Sequence, residues 1–345
     1  MKARIFSAKP PALFGMTLDL PILESSYVSV IQQLNSMGMG DALKSDCRIE
    51  EIDSKLPILK RLEGQSVNID ELDCLARQTE HFSRREAAQF QAMAFTRGYT
   101  RMEDFLNLSP IRNFQRMTVI RDFISPGKDG WAHYTMLHPT ATKQELEKID
   151  GYQVAMDLIL HDHRGRITPF GVAYDFTQEI KHVYDRGGPL PPLNDKEGVM
   201  ELSVFPVVRG ESHPMSFLRL PMDELRLERL MERGGITEAE ELSVGVSCIG
   251  CDLRQLPEDF DSTTLSEYNR LAQRIAELTP EDNQKLIAVK EFARATTVPQ
   301  ILRLADKLLL FRVKRDSVTY HGAGSLAELM TTDIRDSGME MGGMA

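Results

Sequence analysis

The chain has 345 residues, of which 42% are apolar and 27% charged, with a formal net charge of −10 and four cysteines. At roughly 100–200 residues per domain there is room for two or three domains with sizeable cores, and the composition excludes wholesale disorder. No apolar run approaches the ~18 residues of a membrane span. The opening MKARIFSAKPPALF lacks the long apolar stretch of an export signal, and Cys47, Cys74, Cys248 and Cys251 are too few for a disulfide scaffold, so a reducing cytoplasm is the expected compartment.

Two short alternating strands are predicted at 3–8 and 16–20, then a helix in YVSVIQQLNSMG and a strand at 46–52. Helices follow at 69–81 and 84–96, divided by Ser83, whose Glu86 three residues on makes a capping box. A third helix lies near 101–109, with a further strand near 115–124. The segment VAMDLILHDHRGRITPFGVAYDF reads as a strand, a turn at HDHRGR and a returning strand. DRGGPLPPLNDKEG, residues 185–198, is the richest linker composition in the chain.

The same order then returns. Strands are predicted at 202–207, 215–220 and 242–248, around a helix in DELRLERLMERGG, and helices at 265–277, 280–293 and 297–308 precede a strand near 310–319. Over the helical part the copies align without a gap at an offset of 196. Leu72 pairs with Tyr268, Leu75 with Leu271, Ala76 with Ala272, Phe90 with Leu286, Met93 with Val289 and Phe105 with Ile301. Ser83 pairs with Thr279, followed by Asp282 where the first copy has Glu86, so the second cap is the weaker, with Pro280 at the first helical position. Upstream, MTLDLP answers SFLRLP at an offset of 200. The fold class expected is α+β: two tandem modules, each a small mixed or antiparallel sheet followed by a helical bundle, elongated overall. The divisions are 1–137 for the first module, 138–199 for a β-hairpin segment and Gly/Pro linker, 200–330 for the second module and 331–345 for a flexible tail.

Charge is unevenly spread. Residues 1–137 hold 17 acids and 17 bases, whereas 200–284 hold 17 acids and 8 bases, and 285–315 swing to 2 acids and 8 bases. Such asymmetry points to a partner that reads charge, or to a solvated surface that keeps the chain soluble.

Catalytic and metal patterns are weak. Cys248 and Cys251 form a C-x-x-C without a second ligand pair at zinc spacing or a βαβ context, and read as small buried residues beside a glycine turn. His161 and His163 alternate around Asp162 but fall where a turn is expected, and read as polar turn residues. There is no phosphate loop, dinucleotide fingerprint, H-E-x-x-H or G-x-S-x-G. The expectation is a non-enzyme with no metal and no cofactor.

The β-β-α start, then DELDCLARQTEHFSRREAAQFQAM and MEDFLNLSPIRNF, resembles the ArdA-type antirestriction proteins, in particular the long, repeated forms on mobile elements of Gram-positive gut bacteria. The resemblance covers both modules, about two thirds of the chain, and rests on packing motifs; it carries no catalytic residues. It implies a cytoplasmic protein that protects incoming DNA by mimicking it. Its acids would occupy the DNA groove of a type I restriction-modification enzyme or another DNA-binding defence complex, with no direct contact to nucleic acid or membrane. DNA presents one charge per ~1.7 Å, and rows of carboxylates can engage the same basic groove. The candidate acidic face is Asp223, Glu224, Glu228, Glu232, Glu238, Glu240, Glu241, Glu258, Asp259, Asp261, Glu267, Glu277, Glu281 and Asp282. The neutral first module departs from a mimic that is acidic throughout and is available for another role, such as dimerisation. A protein-interaction scaffold of a mobile element, without mimicry, is the alternative; it would show scattered acids and an apolar patch in place of a continuous band.

Overall fold

The computed structural model describes residues 1–10, 15–193, 198–206, 216–236, 242–248, 264–314 and 317–331, the backbone alone at 205–206 and 242–248. They form an α+β fold in two units. The first comprises Met1–Lys196 with Glu228–Gly234, and the second Glu197–Leu227 with Gly235–Ala345.

In the first unit, β1 (Lys2–Ser7) and β2 (Gly15–Asp19) lead into α1 (Glu24–Ser36), β3 (Cys47–Asp53) and the short β4 (Ser66–Val67). The strands lie in the order β2-β1-β3-β4 and are antiparallel. Alternate side chains of β1 face inward, with Ala3 and Ile5 buried, as strand period dictates. The helices α2 (Ile69–Glu80), α3 (Arg84–Thr96), α4 (Met102–Leu108) and α5 (Ile111–Phe114) follow. Asn68 caps α2 by accepting from the Asp70 and Glu71 amides, and Ser83 with Glu86 forms a complete capping box on α3. Between the helices, Phe82, Phe90, Phe105 and Phe114 make a chain of tilted and edge-on ring contacts with centroids 5.2–6.1 Å apart.

The chain then adds β5 (Met117–Ile120), α6 (Gly127–Leu137), α7 (Lys143–Leu146), α8 (Gly151–His161), β6 (Arg166–Thr168) and β7 (Gly171–Asp175). The structure corrects the expected hairpin here: Val154–Leu160 is helix, and the hairpin is the shorter β6–β7 pair, with β7 in the middle of the antiparallel sheet β5-β7-β6. Asp150 starts the helix by accepting from the Tyr152 and Gln153 amides. Ala155 and Leu158 then pack on Ile120 and Tyr174, a helical spacing that the short apolar run left ambiguous with a strand. Gly151 decides the matter, because α8 crosses α6 almost backbone to backbone. A Cβ on Gly130 would lie 2.0 Å from the Gly151 carbonyl oxygen, and one on Gly151 2.2 Å from that of Gly127.

Residues 181–193, which lead into and include the described part of the Gly/Pro-rich stretch, are fastened by side-chain amides. Asn107 Oδ1 accepts from the Val183 and Tyr184 amides at 2.7 and 2.9 Å while its Nδ2 donates to the Tyr184 carbonyl. Asn113 grips Lys181 in the same two-way fashion, and Gln78 Nε2 donates to the Pro192 carbonyl at 2.8 Å. These amides supply the pairing that a strand neighbour would otherwise give.

The second unit repeats the plan with β8 (Met200–Pro206), β9 (Ser216–Leu220), α9 (Glu224–Gly234, its last seven residues counted with the first unit), β10 (Leu242–Cys248), α10 (Leu265–Glu277), α11 (Pro280–Ala293) and α12 (Val298–Asp306). A hairpin of β11 (Phe311–Lys314) and β12 (Ser317–Tyr320) and the short α13 (Leu326–Thr331) end the described chain; the rest of the tail expected from Thr331 lies outside the described residues. β8 lies between β9 and β10 as β1 lies between β2 and β3. Leu20–Pro21 and Leu220–Pro221 are both cis. The paired positions Leu72/Tyr268, Leu75/Leu271, Phe90/Leu286, Met93/Val289 and Phe105/Ile301 are all fully buried. Thr279 accepts from the Asp282 amide and donates to its carboxylate, whereas in the first copy the Glu86 carboxylate accepts from the cap backbone and completes the box.

Candidate functional site

The helix α9 has three glutamates and three arginines, and folding separates them by face. Glu224, Glu228 and Glu232 recur every four residues and are exposed. Arg226, Arg229 and Arg233, at steps of three and four, are buried to within 9%, 7% and 4% of full burial. A segment whose charges cancel in the sequence thus presents carboxylates alone outward.

What holds arginines inside is a buried carboxylate pair on the first turn of α2. Arg229 Nη2 and Nε lie 2.7 and 3.2 Å from Asp70 Oδ2, and its Nη1 donates to the Gly40 carbonyl. Arg233 Nη2 lies 3.2 Å from Glu71 Oε1, and its Nη1 donates to the Ala42 carbonyl at 2.8 Å. Two tyrosines complete the shell: Tyr27 Oη donates to Asp70 Oδ1 at 2.7 Å, and Tyr184 Oη to Glu71 Oε1 at 2.5 Å. Burial opposes the Arg229 charge, but Asp70 and Tyr27 outweigh it, and its pKa stands above the ordinary arginine value. Burial and then the Glu71 charge push the Tyr184 hydroxyl well up, so it stays a donor. With their guanidinium groups engaged inside, Arg229 and Arg233 do not neutralise Glu228 and Glu232 on the other face.

The remaining acids of the candidate face have mixed duties. Asp223 is half-buried and its Oδ1 accepts from the Leu225 amide at 2.9 Å, at the start of α9. Glu267 closes a capping box with Thr264 on α10, and Asp282 is tied to Thr279. Glu277 is exposed but paired with Arg274 at 3.0 Å, and Arg274 also reaches Asp306. Glu281 is exposed in the first turn of α11, where the helix dipole favours it. The acids therefore fall in two places, the α9 row and the α10–α11 corner. Glu238, Glu240, Glu241, Glu258, Asp259 and Asp261 lie outside the described residues.

Among the described residues, Cys47 and Cys74 are buried free thiols; burial, then the Asp73 charge, raises Cys74 to about 12, far from a reactive thiolate. Cys251 and the side chain of Cys248 lie outside the described residues. His161 ends α8, and Asp162 turns the chain by binding Arg164 through Nε at 2.9 Å and Nη2 at 2.6 Å. That pairing holds the Asp162 carboxyl below the usual carboxylate range. His133, His161 and His163 line an open cleft of about 580 Å³ with Tyr134 and Asp157, but among the described residues no three metal-binding side chains are grouped to hold an ion. No helix among the described residues is long and apolar enough to cross a membrane.

No protein-family model, curated protein or solved structure matches the chain. The functional reading therefore rests on side-chain geometry. Sequence reasoning singled out Glu224, Glu228 and Glu232 but missed Asp70, Glu71, Tyr27, Tyr184, Arg229 and Arg233. One signal was present: the arginines recur at the spacing of an apolar face.

Proposed function

We propose that this chain is an anti-defence protein of the ArdA type, whose acidic face stands in for DNA in the groove of a DNA-binding defence complex such as a type I restriction-modification enzyme. It acts in the cytoplasm, without catalysis, metal or cofactor. The observation that carries the reading is the α9 row, Glu224–Glu228–Glu232, exposed while the arginines of the same helix are buried. A helix rises ~1.5 Å per residue, so the carboxylates stand ~6 Å apart along the axis. One DNA strand carries a phosphate every ~3.4 Å, so the row has about half its axial charge density. Further acids are needed for a full mimic, and Glu277 and Glu281 are exposed candidates.

The test is binding to a purified restriction complex in a salt series with duplex DNA as competitor. Affinity should fall as salt rises and duplex DNA should displace the protein, because exposed charges are screened beyond ~8 Å at physiological strength. Reversing Glu224, Glu228 and Glu232 to Lys should cost ~1 kcal/mol or more of binding per site, while reversing Glu50 and Glu51 of the neutral module matters much less. Binding indifferent to salt and to DNA, or equal losses from both variants, would sink the mimic.

A scaffold without mimicry is the second reading, favoured by one feature. Trp131, Leu137, Tyr152 and Leu160, on the packed helices α6 and α8, are each 43–59% exposed, and a protein contact would use them if they join into one patch.

A further inference from the structure

The chain has one tryptophan, and it stands at the wall of a groove unrelated to the acidic row. This groove of about 550 Å³ lies in the first unit and is lined by Trp131, Thr135 and Met136 of α6, Arg85, Glu86 and Gln89 of α3, and Gln115 and Arg116 after α5. Its volume falls within the ~300–1,000 Å³ range of small-molecule sites. α8 approaches the Trp131 backbone closely at Gly151, which fixes where the side chain leaves α6, and the residue is 43% exposed.

The charge of the groove is positive. Arg85 and Arg116 line it against one carboxylate, Glu86, one oxygen of which is already engaged by the Ser83 amide at 2.8 Å. Arg85 has one weak anchor, the Ala132 carbonyl at 3.4 Å, and partial burial of its guanidinium pulls its pKa down despite Asp129 and Glu86. Arg85 as a residue is exposed, so its guanidinium is open to an anion, which a planar fork of donors binds in two-pronged fashion.

A flat, half-exposed indole lining the same groove as two arginines and the exposed Gln115 fits a ligand with a planar heterocycle and a phosphate. We infer that this groove binds a nucleotide, free or as one residue of a single strand, with the base stacked on Trp131 and the phosphate held by Arg85 and Arg116. Stacking on an aromatic side chain tolerates any base, so selectivity for base identity is low. This site is independent of the acidic row and of the proposed mimicry.

Because Trp131 is the only tryptophan, fluorescence of the full chain excited at the red edge, where the eight tyrosines do not absorb, reports on this groove. Titration with a dT oligonucleotide of about ten residues, with TMP, and with tripolyphosphate separates the sources. Quenching by the oligonucleotide and not by TMP assigns a strand, and quenching by both assigns a free nucleotide as sufficient. Tripolyphosphate, lacking a base, should compete without comparable quenching. By anisotropy of a labelled oligonucleotide, Trp131→Ala should weaken binding about tenfold or more and Trp131→Phe should retain most of it. Arg85→Gln with Arg116→Gln should weaken binding and flatten its salt dependence. Each variant is checked for an unchanged melting transition. No quenching by either nucleotide form at millimolar concentration, quenching unaltered in the double arginine variant, or binding of an acidic phosphopeptide in preference to both would overturn the assignment.

Discussion

Asp73 and Asn269 do the same work in the two halves of the chain. Asp73 Oδ1 accepts the Ile22 amide at 2.5 Å, and Asn269 Oδ1 accepts the Met222 amide at 2.9 Å, each tying the corner after the second strand to the helix that follows the sheet. Asn269 also donates to the Met222 carbonyl at 2.8 Å. In the first half Arg77 takes that carbonyl's counterpart, Ile22, at 2.6 Å, and is itself held by Asp73 at 3.0 Å. One amide in the second module is thus replaced by an acid–base pair in the first.

Asn269→Ala should destabilise the second unit by about 2–4 kcal/mol, since it strands both a buried N–H and a buried C=O. Asn269→Asp should be nearly as damaging, because it keeps the acceptor but turns the donor into a charge facing a carbonyl. Urea denaturation of the full chain checks both. A loss below about 1 kcal/mol would remove the corner from the structural account.

The buried Arg229–Asp70 pair gives a second expectation. Arg229→Met leaves the Asp70 carboxylate without its guanidinium, and breaking a buried pair on one side costs about 3–5 kcal/mol. Pairing it with Asp70→Leu removes the orphaned charge, so the double variant should recover a substantial part of the loss. Additive destabilisation in this cycle, read by denaturant midpoints, would argue against a coupled pair.

The α6–α8 crossing separates two glycines only three residues apart. Gly130→Ala would place a Cβ 2.0 Å from the Gly151 carbonyl oxygen and 2.7 Å from the Ala155 nitrogen, both backbone, and should cost about 2–3 kcal/mol. A Cβ on Gly127 meets nothing nearer than 3.4 Å, so Gly127→Ala should be close to neutral. Thermal melts of the two variants decide it; equal effects would mean that the helices are not in such close approach.

His133 gives the fold a pH dependence of known sign. It is buried, its Nδ1 shares a hydrogen bond with Thr118 Oγ1 at 2.9 Å, and its ring packs on Phe176. Burial lowers its pKa; Asp162 opposes the shift, while Arg164, Arg85 and His138 reinforce it. A base whose folded pKa is depressed binds fewer protons folded than unfolded, so stability falls as pH drops below the unfolded value of ~6.5. Unfolding free energy measured at pH 7.5 and 5.5 should therefore decline more in the wild type than in His133→Gln. An equal decline in both would assign the pH response to other groups.

The helical pairs at 69–96 and 265–293 are legible in the sequence, because amphipathic spacing and capping residues are short-range signals. The gapless offset of 196 aligned their buried positions, and Ser83–Glu86 against Thr279–Asp282 even carried the difference in cap quality. Val154–Leu160 was misread because a short apolar run satisfies both periods, and only the approach of α6 to Gly151 and the packing of Ala155 on Ile120 chose the helix. The stretch 185–198 reads as a linker from its Gly and Pro content, since nothing local shows that Asn107 and Asn113 fasten the chain just before it, at Lys181–Tyr184, and that Gln78 clasps Pro192 within it. The acidic row was visible as letters but not as a surface. That Arg229 and Arg233 are drawn inward by Asp70 and Glu71, 159 and 162 residues away, is a tertiary decision. Helix periodicity sets which side chains share a face; which face is outward depends on long-range partners that can repay the desolvation of a buried charge.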